Sequence, residues 1–588
     1  MKLVEQRILR GPNVWSDRTC IKAIIDFGDG AIPVYWAELL PELAPGAPRA
    51  PIAELTARLV LAMQRRAGVN VEFWCTAPIP GNDGLCTVVV EFDLEQLGQD
   101  ALACALDPHT DLPTALAMLE ATARRTAISA STAAVLAAAK DRGIPLMRIA
   151  DEADLFQLGW GRRQKKTQVP NGGNCRTAGE AIVESLFGQD DGRIPVIAVT
   201  GTNGKTTTTL MIAHVARMAG MHTGVTTTEG IFIDATKITE GDSAGYHSAR
   251  CILSSDVVDI AVLETARGGI LKRGLAFDRC TVGVVLNVSA DHLGLDGIET
   301  VAELAKVKAV VANAAAGAVV LNAQDGYCVE MANSLRPGAE LIYFSLDANN
   351  PVLRKHRVRG MRCTYLQDDT LFLAHGDNCE PLLATCAMPV AMHGHARHNI
   401  ANALAAAAAL LGAGFSTRQI AAGLATFVSD AHTNPLRCNM HVVRGVTVIV
   451  DYAHNPAAYT ALAGMTRAMT ERRRVAVITA PGDRRDSDLQ DMGRACALGF
   501  DELFIYEADP RGRISGATAE VIASGARSAG MHASLVHPIV PVADAFGAAL
   551  NSCAEGEILV FACGSSSSAQ TVLEMHHRQA HTKPVLAM

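Results

Sequence analysis

Short apolar runs alternate with longer stretches of helical spacing over most of this chain. Ile194-Pro195-Val196-Ile197-Ala198-Val199-Thr200 is continuous, brief and rich in β-branched residues, so it predicts a buried strand. A glycine-containing turn follows, and then a helix from Lys205. Further strands are predicted at Ile260 to Leu263, Thr281 to Leu286, Ala318 to Leu321 and Leu341 to Ser345. A second series begins near Asp430, with strands near Val446–Val450, Arg474–Thr479, Glu502–Tyr506 and Ile558–Phe561. Strands alternating with helices in this way predict parallel sheets covered on both faces. Gly564-Ser565-Ser566-Ser567-Ser568 reads as a loop after the last strand.

The first part of the chain has a different texture. Ile52 to Arg66 is spaced like a helix, Val69 to Trp74 and Thr87 to Phe92 like strands, and Leu112 to Lys140 is an Ala-rich helical stretch. After Gly159-Trp160-Gly161-Arg162-Arg163-Gln164-Lys165-Lys166 comes Pro170-Asn171-Gly172-Gly173-Asn174. This basic, Gly/Asn-rich stretch reads as a linker, either a solvated connector or a surface for an acidic polymer. The predicted fold class is α/β and multidomain. It comprises a small α+β domain over 1–163, a linker over 164–192, a central P-loop domain over 193–430 and a C-terminal Rossmann-like domain over 431–588.

Composition narrows the class. A chain of 588 residues exceeds one core and suggests three or four domains. Its 52 Lys+Arg against 60 Asp+Glu leave a formal charge of −8, which removes the electrostatic case for binding nucleic acid. With 49% hydrophobic and 19% charged residues, extensive disorder is not expected. Met1-Lys2-Leu3-Val4-Glu5-Gln6-Arg7 has no apolar signal-peptide core, and no window is apolar enough for a membrane span. The 15 cysteines include no CxxC pair and read as small buried hydrophobes, so the expected location is the cytoplasm.

Chemistry concentrates at the strand ends. Gly201-Thr202-Asn203-Gly204-Lys205-Thr206-Thr207 joins a buried strand to a helix. Its glycines let backbone amides approach phosphate oxygens, Lys205 can reach the outer phosphates, and Thr206 offers a hydroxyl to Mg²⁺. The full Walker pattern wants glycine where Val199 stands, so this is a shortened form of an ATP site. Glu264 follows the strand Ile260–Leu263, at the sheet edge where ligands bind in open α/β sheets, and it can offer oxygen to Mg²⁺. Asn287-Val288-Ser289-Ala290-Asp291-His292-Leu293 ends the next strand at the same edge.

These motifs resemble the Mur ligase family, which includes folylpolyglutamate synthetase. His398-Asn399-Ile400-Ala401-Asn402 and Asp451-Tyr452-Ala453-His454-Asn455-Pro456 add to the likeness. Glu264 to Leu271, Thr226 to Gly230, Gly482-Asp483-Arg484-Arg485-Asp486 and Leu9 to Trp15 are similar to the cyanophycin synthetase branch. That branch carries an ATP-grasp domain between its N-terminal and Mur-like domains. Here about 30 residues separate the basic segment from the P-loop strand, below the roughly 50 of a small domain.

The resemblance implies ATP and Mg²⁺ as cofactors, a carboxylate activated as an acyl-phosphate, and an incoming amine. Lys205 would bind the outer phosphates, Thr206 and Glu264 a Mg²⁺, and His292 a second Mg²⁺ together with a carbamylated lysine, Lys308 in preference to Lys306. Asn399 would lie near the adenine, Asp451 would hold the ribose, and Arg437 would reach the γ-phosphate. Asp483, Arg484 and Arg485 would meet the incoming amino acid. His393, His395 and His398 match no metal motif, and only His398 falls in a family motif. Two departures stand out. Asn434-Pro435-Leu436-Arg437 has leucine where the family has glycine, and Gly245-Tyr246-His247 stands where it tends to have Gly-Pro. A left-handed glycine in the first would cost about 1 kcal/mol or more to replace, or the turn would move.

Two functions follow from the resemblance. One is an ATP-dependent ligase joining an amino acid, arginine foremost, to aspartate side chains of a polymer or peptide. The other is a non-catalytic paralogue that assembles with, stabilises or helps fold a full-length cyanophycin synthetase. Both imply a partner, and self-association into a homodimer or higher oligomer is expected.

Overall fold

The computed structural model describes all residues except 29–31, 33, 42–49, 83, 108, 150–154, 169–175 and 582–588. The Pro170–Asn174 part of the expected linker therefore lies outside the described residues. The chain divides into two compact units. One is Met1–Val196 with Gly230–Ala261 and Thr265–Cys280, and the other is Ile197–Glu229 with Val262–Glu264 and Thr281–Met588.

The first unit begins with an antiparallel sheet in the order Lys2–Leu9, Cys20–Asp26, Leu85–Glu91, Trp74–Pro78. Period-2 alternation sends Val88 and Val90 into a core with Leu59, Val60 and Met63 of the helix Ile52–Arg66, while Val89 joins Leu9 and Cys20 on the opposite face. The expected strand Val69–Trp74 is corrected to Trp74–Pro78. Gly68 takes φ 98° and the Val69 amide closes back on Gln64, so these residues terminate the helix instead of starting a strand. The Ala-rich stretch is two helices, Leu112–Thr126 and Ala130–Asp141, because Ser129 is extended and its hydroxyl caps the Thr132 amide at 3.1 Å.

The stretch read as a linker also contains regular structure. Lys165–Gln168 pairs with Leu155–Leu158, and Arg176–Phe187 is a helix lying against Ala130–Asp141.

The second unit holds a sheet in the order Thr223–Thr227, Ile260–Glu264, Val196–Thr200, Cys280–Val285, Ala315–Asn322, Glu340–Ser345, Arg362–Gln367, Thr370–His375, Asn378–Ala384. The last two strands pair antiparallel, whereas Cys280–Val285 pairs with Val196–Thr200 in parallel. The helix Arg397–Gly412 crosses this sheet with Ala405, Ala406, Ala407, Ala408 and Ala409 all fully buried. It packs on both the sheet and the helix Lys205–Met218. A second sheet runs Asn439–Val443, Val446–Asp451, Ile558–Ala562, Arg474–Ile478, Glu502–Ile505, Val536–Pro538, parallel except at its first pair. Ala476, Ile478 and Val560 face a core with three helices, Pro456–Met469, Asp486–Gly499 and Ala517–Ser528. Val475, Val477 and Phe561 face the helices Val542–Ser552 and Ser566–His581. Burial on both faces explains the continuous apolar runs. The expected loop Gly564–Ser568 ends early, since the last helix starts at Ser566. No helix among the described residues is long and apolar enough to cross a membrane.

The helix pair in the first unit rests on Gly179, where a Cβ would lie 2.4 Å from the carbonyl oxygen of Ala134. Gly179→Ala is therefore expected to destabilise this pair by about 1–3 kcal/mol. Faster amide exchange across Ala130–Asp141 and Arg176–Phe187 would report it.

Candidate active site

The turn after Val196–Thr200 is shaped by one side chain. The Asn203 and Thr202 amides donate to Asn287 Oδ1 at 2.9 and 3.1 Å, and Asn287 Nδ2 donates back to the Asn203 carbonyl at 3.1 Å. Gly204 takes φ 86° at the helix start, and a Cβ there would meet Asn402 Oδ1 at 2.2 Å. Glycine is thus demanded both by conformation and by space. The helix Lys205–Met218 then presents its N-terminus, a positive end suited to phosphate, into a cavity of about 210 Å³ lined by Thr202 through Thr207.

Glu264 ends its strand at the same cavity, only 2% exposed. Thr206 donates its hydroxyl to Glu264 Oε2 at 2.8 Å, and Oε1 is buried without a hydrogen-bond partner. Burial pushes the carboxyl pKa upward, opposed by the charges of Lys205 and Arg437 and by the Thr206 hydrogen bond. Lys205 Nζ lies across its own loop, donating to the Thr202 carbonyl at 3.0 Å. Asn399 is buried beside it, with its Nδ2 on the Val390 carbonyl at 3.2 Å, and it lines the cavity together with Asp451.

Arg437 arrives from far along the chain. Its Nη2 donates to Thr206 Oγ1 at 3.2 Å, and its guanidinium carbon lies 4.8 Å from the Tyr452 ring centroid. Leu436 has φ 57°, so the left-handed turn is kept and leucine carries the strain. Its side chain is 3% exposed, in the core with Val448 and Val450. The turn is further held by the Asn439 side chain, which accepts from the Leu436 amide at 2.7 Å. The second departure, Tyr246, opens the helix Tyr246–Leu253 of the first unit with Arg250 5.9 Å above its ring.

His292 takes φ 55° and lies in a group with Asp291 and His454, whose ligand atoms are within 4.8 Å of one another. Burial alone would raise the Asp291 carboxyl, yet His454, His292 and Arg484 hold its pKa below the usual carboxylate range. Arg484 is 5% exposed and places Nη2 3.0 Å from His292 Nε2. Lys308 is buried, and Lys306 is exposed. Lys308 lies close enough to Cys328 to act on its thiol and lines neither cavity described here. A second cavity of about 380 Å³ is lined by Arg484, Arg511, Glu507 and Asp509, and Tyr452, Ala453 and His454 border both cavities. Asp483 pairs with Arg484 at 2.7 Å and Arg511 at 2.6 Å, whereas Arg485 turns to Asp488 at 2.9 Å.

Several site residues escaped the sequence reading: Asn287's bonds to the loop, Asp291, His454, Arg511 and the reciprocal pair between Asn203 and Asn455 (3.1 and 3.0 Å). Asp291 and His454 stand inside motifs already noted, so position within a motif was the available signal. Of the three histidines, His398 lines the first cavity and His393 is exposed.

Residues 199–410 match the Mur ligase middle domain, and residues 437–566 match the Mur ligase glutamate ligase domain. The chain thus carries two Mur ligase domains, one after the other. Cyanophycin synthetase of Nostoc sp. is 41% identical to this chain over 361 residues, 61% of this chain and 40% of that protein. The Geminocystis herdmanii cyanophycin synthetase is 38% identical over 414 residues, 70% of this chain and 47% of that one. The chain thus spans less than half the length of these curated relatives. Among solved structures, E. coli FolC with ADP and without folate substrate is 20% identical, with a TM-score of 0.48 over 66% of this chain and 90% of that one.

Leu436→Gly would release about 1–2 kcal/mol of left-handed strain. Removing a buried leucine side chain costs more, about 2–5 kcal/mol. The variant with glycine at 436 is therefore expected to be less stable than the wild type, by about 1–3 kcal/mol net. A thermal melt with nucleotide absent measures it.

Proposed function

We propose that the chain is an ATP-dependent amide ligase that joins an amino acid, arginine by its likeness to cyanophycin synthetases, to side-chain carboxylates of an aspartate polymer or peptide. What carries the reading is the convergence of Lys205, Thr206, Glu264 and Arg437 on one cavity that Asn399 and Asp451 also line. The loop amides and the helix N-terminus would receive the β- and γ-phosphates, with Lys205 swinging off Thr202 to meet them. Asn399 would face the base and Asp451 the ribose.

The donor set fits Mg²⁺: a hydroxyl and a carboxylate 2.8 Å apart, with Glu264 Oε1 buried and unpartnered. Bound there, the ion supplies charge neutralisation on the transferring phosphoryl group. At His292, Arg484 Nη2 lies 3.0 Å from Nε2, and Asp291 and His454 bring their own ligand atoms within 4.8 Å. In the reaction, a carboxylate oxygen of the acceptor attacks the γ-phosphorus and ADP leaves with its bridging oxygen. The amine nitrogen then attacks the acyl carbon, loses a proton, and phosphate departs with the C–O bonding pair. Arg437 and Lys205 stabilise charge on the phosphoryl group, and the fold supplies alignment. The second cavity, with Arg484 and Arg511, would receive the amino acid from the other side of His454.

A second reading is a non-catalytic partner of a full-length cyanophycin synthetase, within a homodimer or larger assembly. It is favoured by the interval between Lys165–Gln168 and Val196–Thr200, whose described residues hold a single helix, Arg176–Phe187, and which has no room for an ATP-grasp domain. Phosphate release from ATP with a short aspartate peptide and arginine separates the two. Release that requires both substrates, and falls about 100-fold or more in Lys205→Ala and Arg437→Ala, is the expected result. ATP binding without turnover would sink the ligase reading and turn attention to polymer yield on co-expression with a full-length synthetase.

A further inference from the structure

One turn carries two left-handed residues that are not glycine. Leu436 stands at φ 57° and Cys438 at 54°, with Arg437 between them. Such a conformation is unfavourable for a residue with a side chain, so it persists only where its surroundings impose it. At Cys438 the surroundings are polar. Its amide donates to Asp451 Oδ2 at 2.9 Å, its sulfur lies 3.3 Å from the same oxygen, and His398 Nε2 lies 3.4 Å from the sulfur. Cys438 is 1% exposed, and all three residues line the cavity assigned above to the nucleotide.

The two oxygens of Asp451 are therefore not equivalent. Oδ2 takes both donors of Cys438, and Oδ1 takes no hydrogen bond among the described residues. We propose that Cys438 is a positioning residue for ribose recognition, holding Asp451 Oδ2 with its amide and thiol so that Oδ1 is left to accept a ribose hydroxyl. The inference rests on the nucleotide reading of this cavity. Burial and the adjacent Asp451 charge push the thiol pKa well upward, so the group is an S–H donor and not a second anion beside a carboxylate. With that proton on Asp451, the sulfur accepts from His398 Nε2–H. His398 Nδ1, buried without a partner, then remains an acceptor in the cavity wall. The same turn sets both ends of the ligand site. The Tyr452 amide donates to the Leu436 carbonyl at 2.8 Å, which ties Arg437 to the strand that ends in Asp451.

The test is binding of ATP, ADP and 2′,3′-dideoxy-ATP to the full chain as wild type, Cys438→Ala and Cys438→Ser. Wild type should prefer ATP over the dideoxy nucleotide by about tenfold. In Cys438→Ala this preference should fall by about threefold or more, and Cys438→Ser, which keeps a donor, should recover it. The ATP-to-ADP ratio, which reads the Arg437 end, should stay constant in all three. An unchanged ribose preference in Cys438→Ala overturns the proposal. So does a serine variant as deficient as alanine, or a parallel change in the ATP-to-ADP ratio. A wild type that binds none of the nucleotides overturns the nucleotide reading itself and this inference with it.

Discussion

A carboxylate removed from water is expensive to keep ionised, and Glu264 is almost wholly buried. Much of the second unit answers that cost. The Thr206 hydroxyl, the Thr228 amide and the charges of Lys205 and Arg437 all surround it, drawn from segments that lie far apart in sequence. The loop Gly201–Thr207 and the turn carrying Arg437 are therefore held together by more than apolar contact. A cation or phosphate entering the cavity would meet groups already oriented by this one charge, which is the preorganisation that electrostatic catalysis requires.

Around that centre, shape is set by amide side chains. Asn287 fixes the loop, Asn402 fills the space that excludes any residue but glycine at 204, and Asn203 exchanges two hydrogen bonds with Asn455 at the start of the helix Pro456–Met469. Each is directional, so the loop and the second sheet share a register that apolar packing alone would leave loose. Leu436 shows the other side of this economy: a strained backbone is retained because its side chain fills a core.

The strands of both α/β series were legible because two-sided burial writes an unbroken apolar run, as at Val475–Ile478 and Leu559–Phe561. In the first unit, Lys2–Leu9 went unread, being an edge strand with mostly exposed or half-buried residues, and Val69 was misread because it closes a helix. The site divides the same way. The loop Gly201–Thr207 and Glu264 are local patterns, so sequence reveals them. The contact between Arg484 and His292, and that between Cys438 and Asp451, exist only once distant segments fold together. The Ala-x-x-Lys-Ala spacing favours Lys308 over Lys306, and what spacing alone does not tell is that the helix buries Lys308 and exposes Lys306.

The helix Arg397–Gly412 owes its place to having almost no side chains where it crosses the sheet. Methyl groups from Ala405 to Ala409 act as spacers of fixed thickness between two larger bodies. Any enlargement there has no void to enter and would be transmitted as displacement along the helix to Asn399 and Asn402. Mutational drift in the middle of this segment is thus confined by geometry and not by chemistry: it behaves as a calibrated shim.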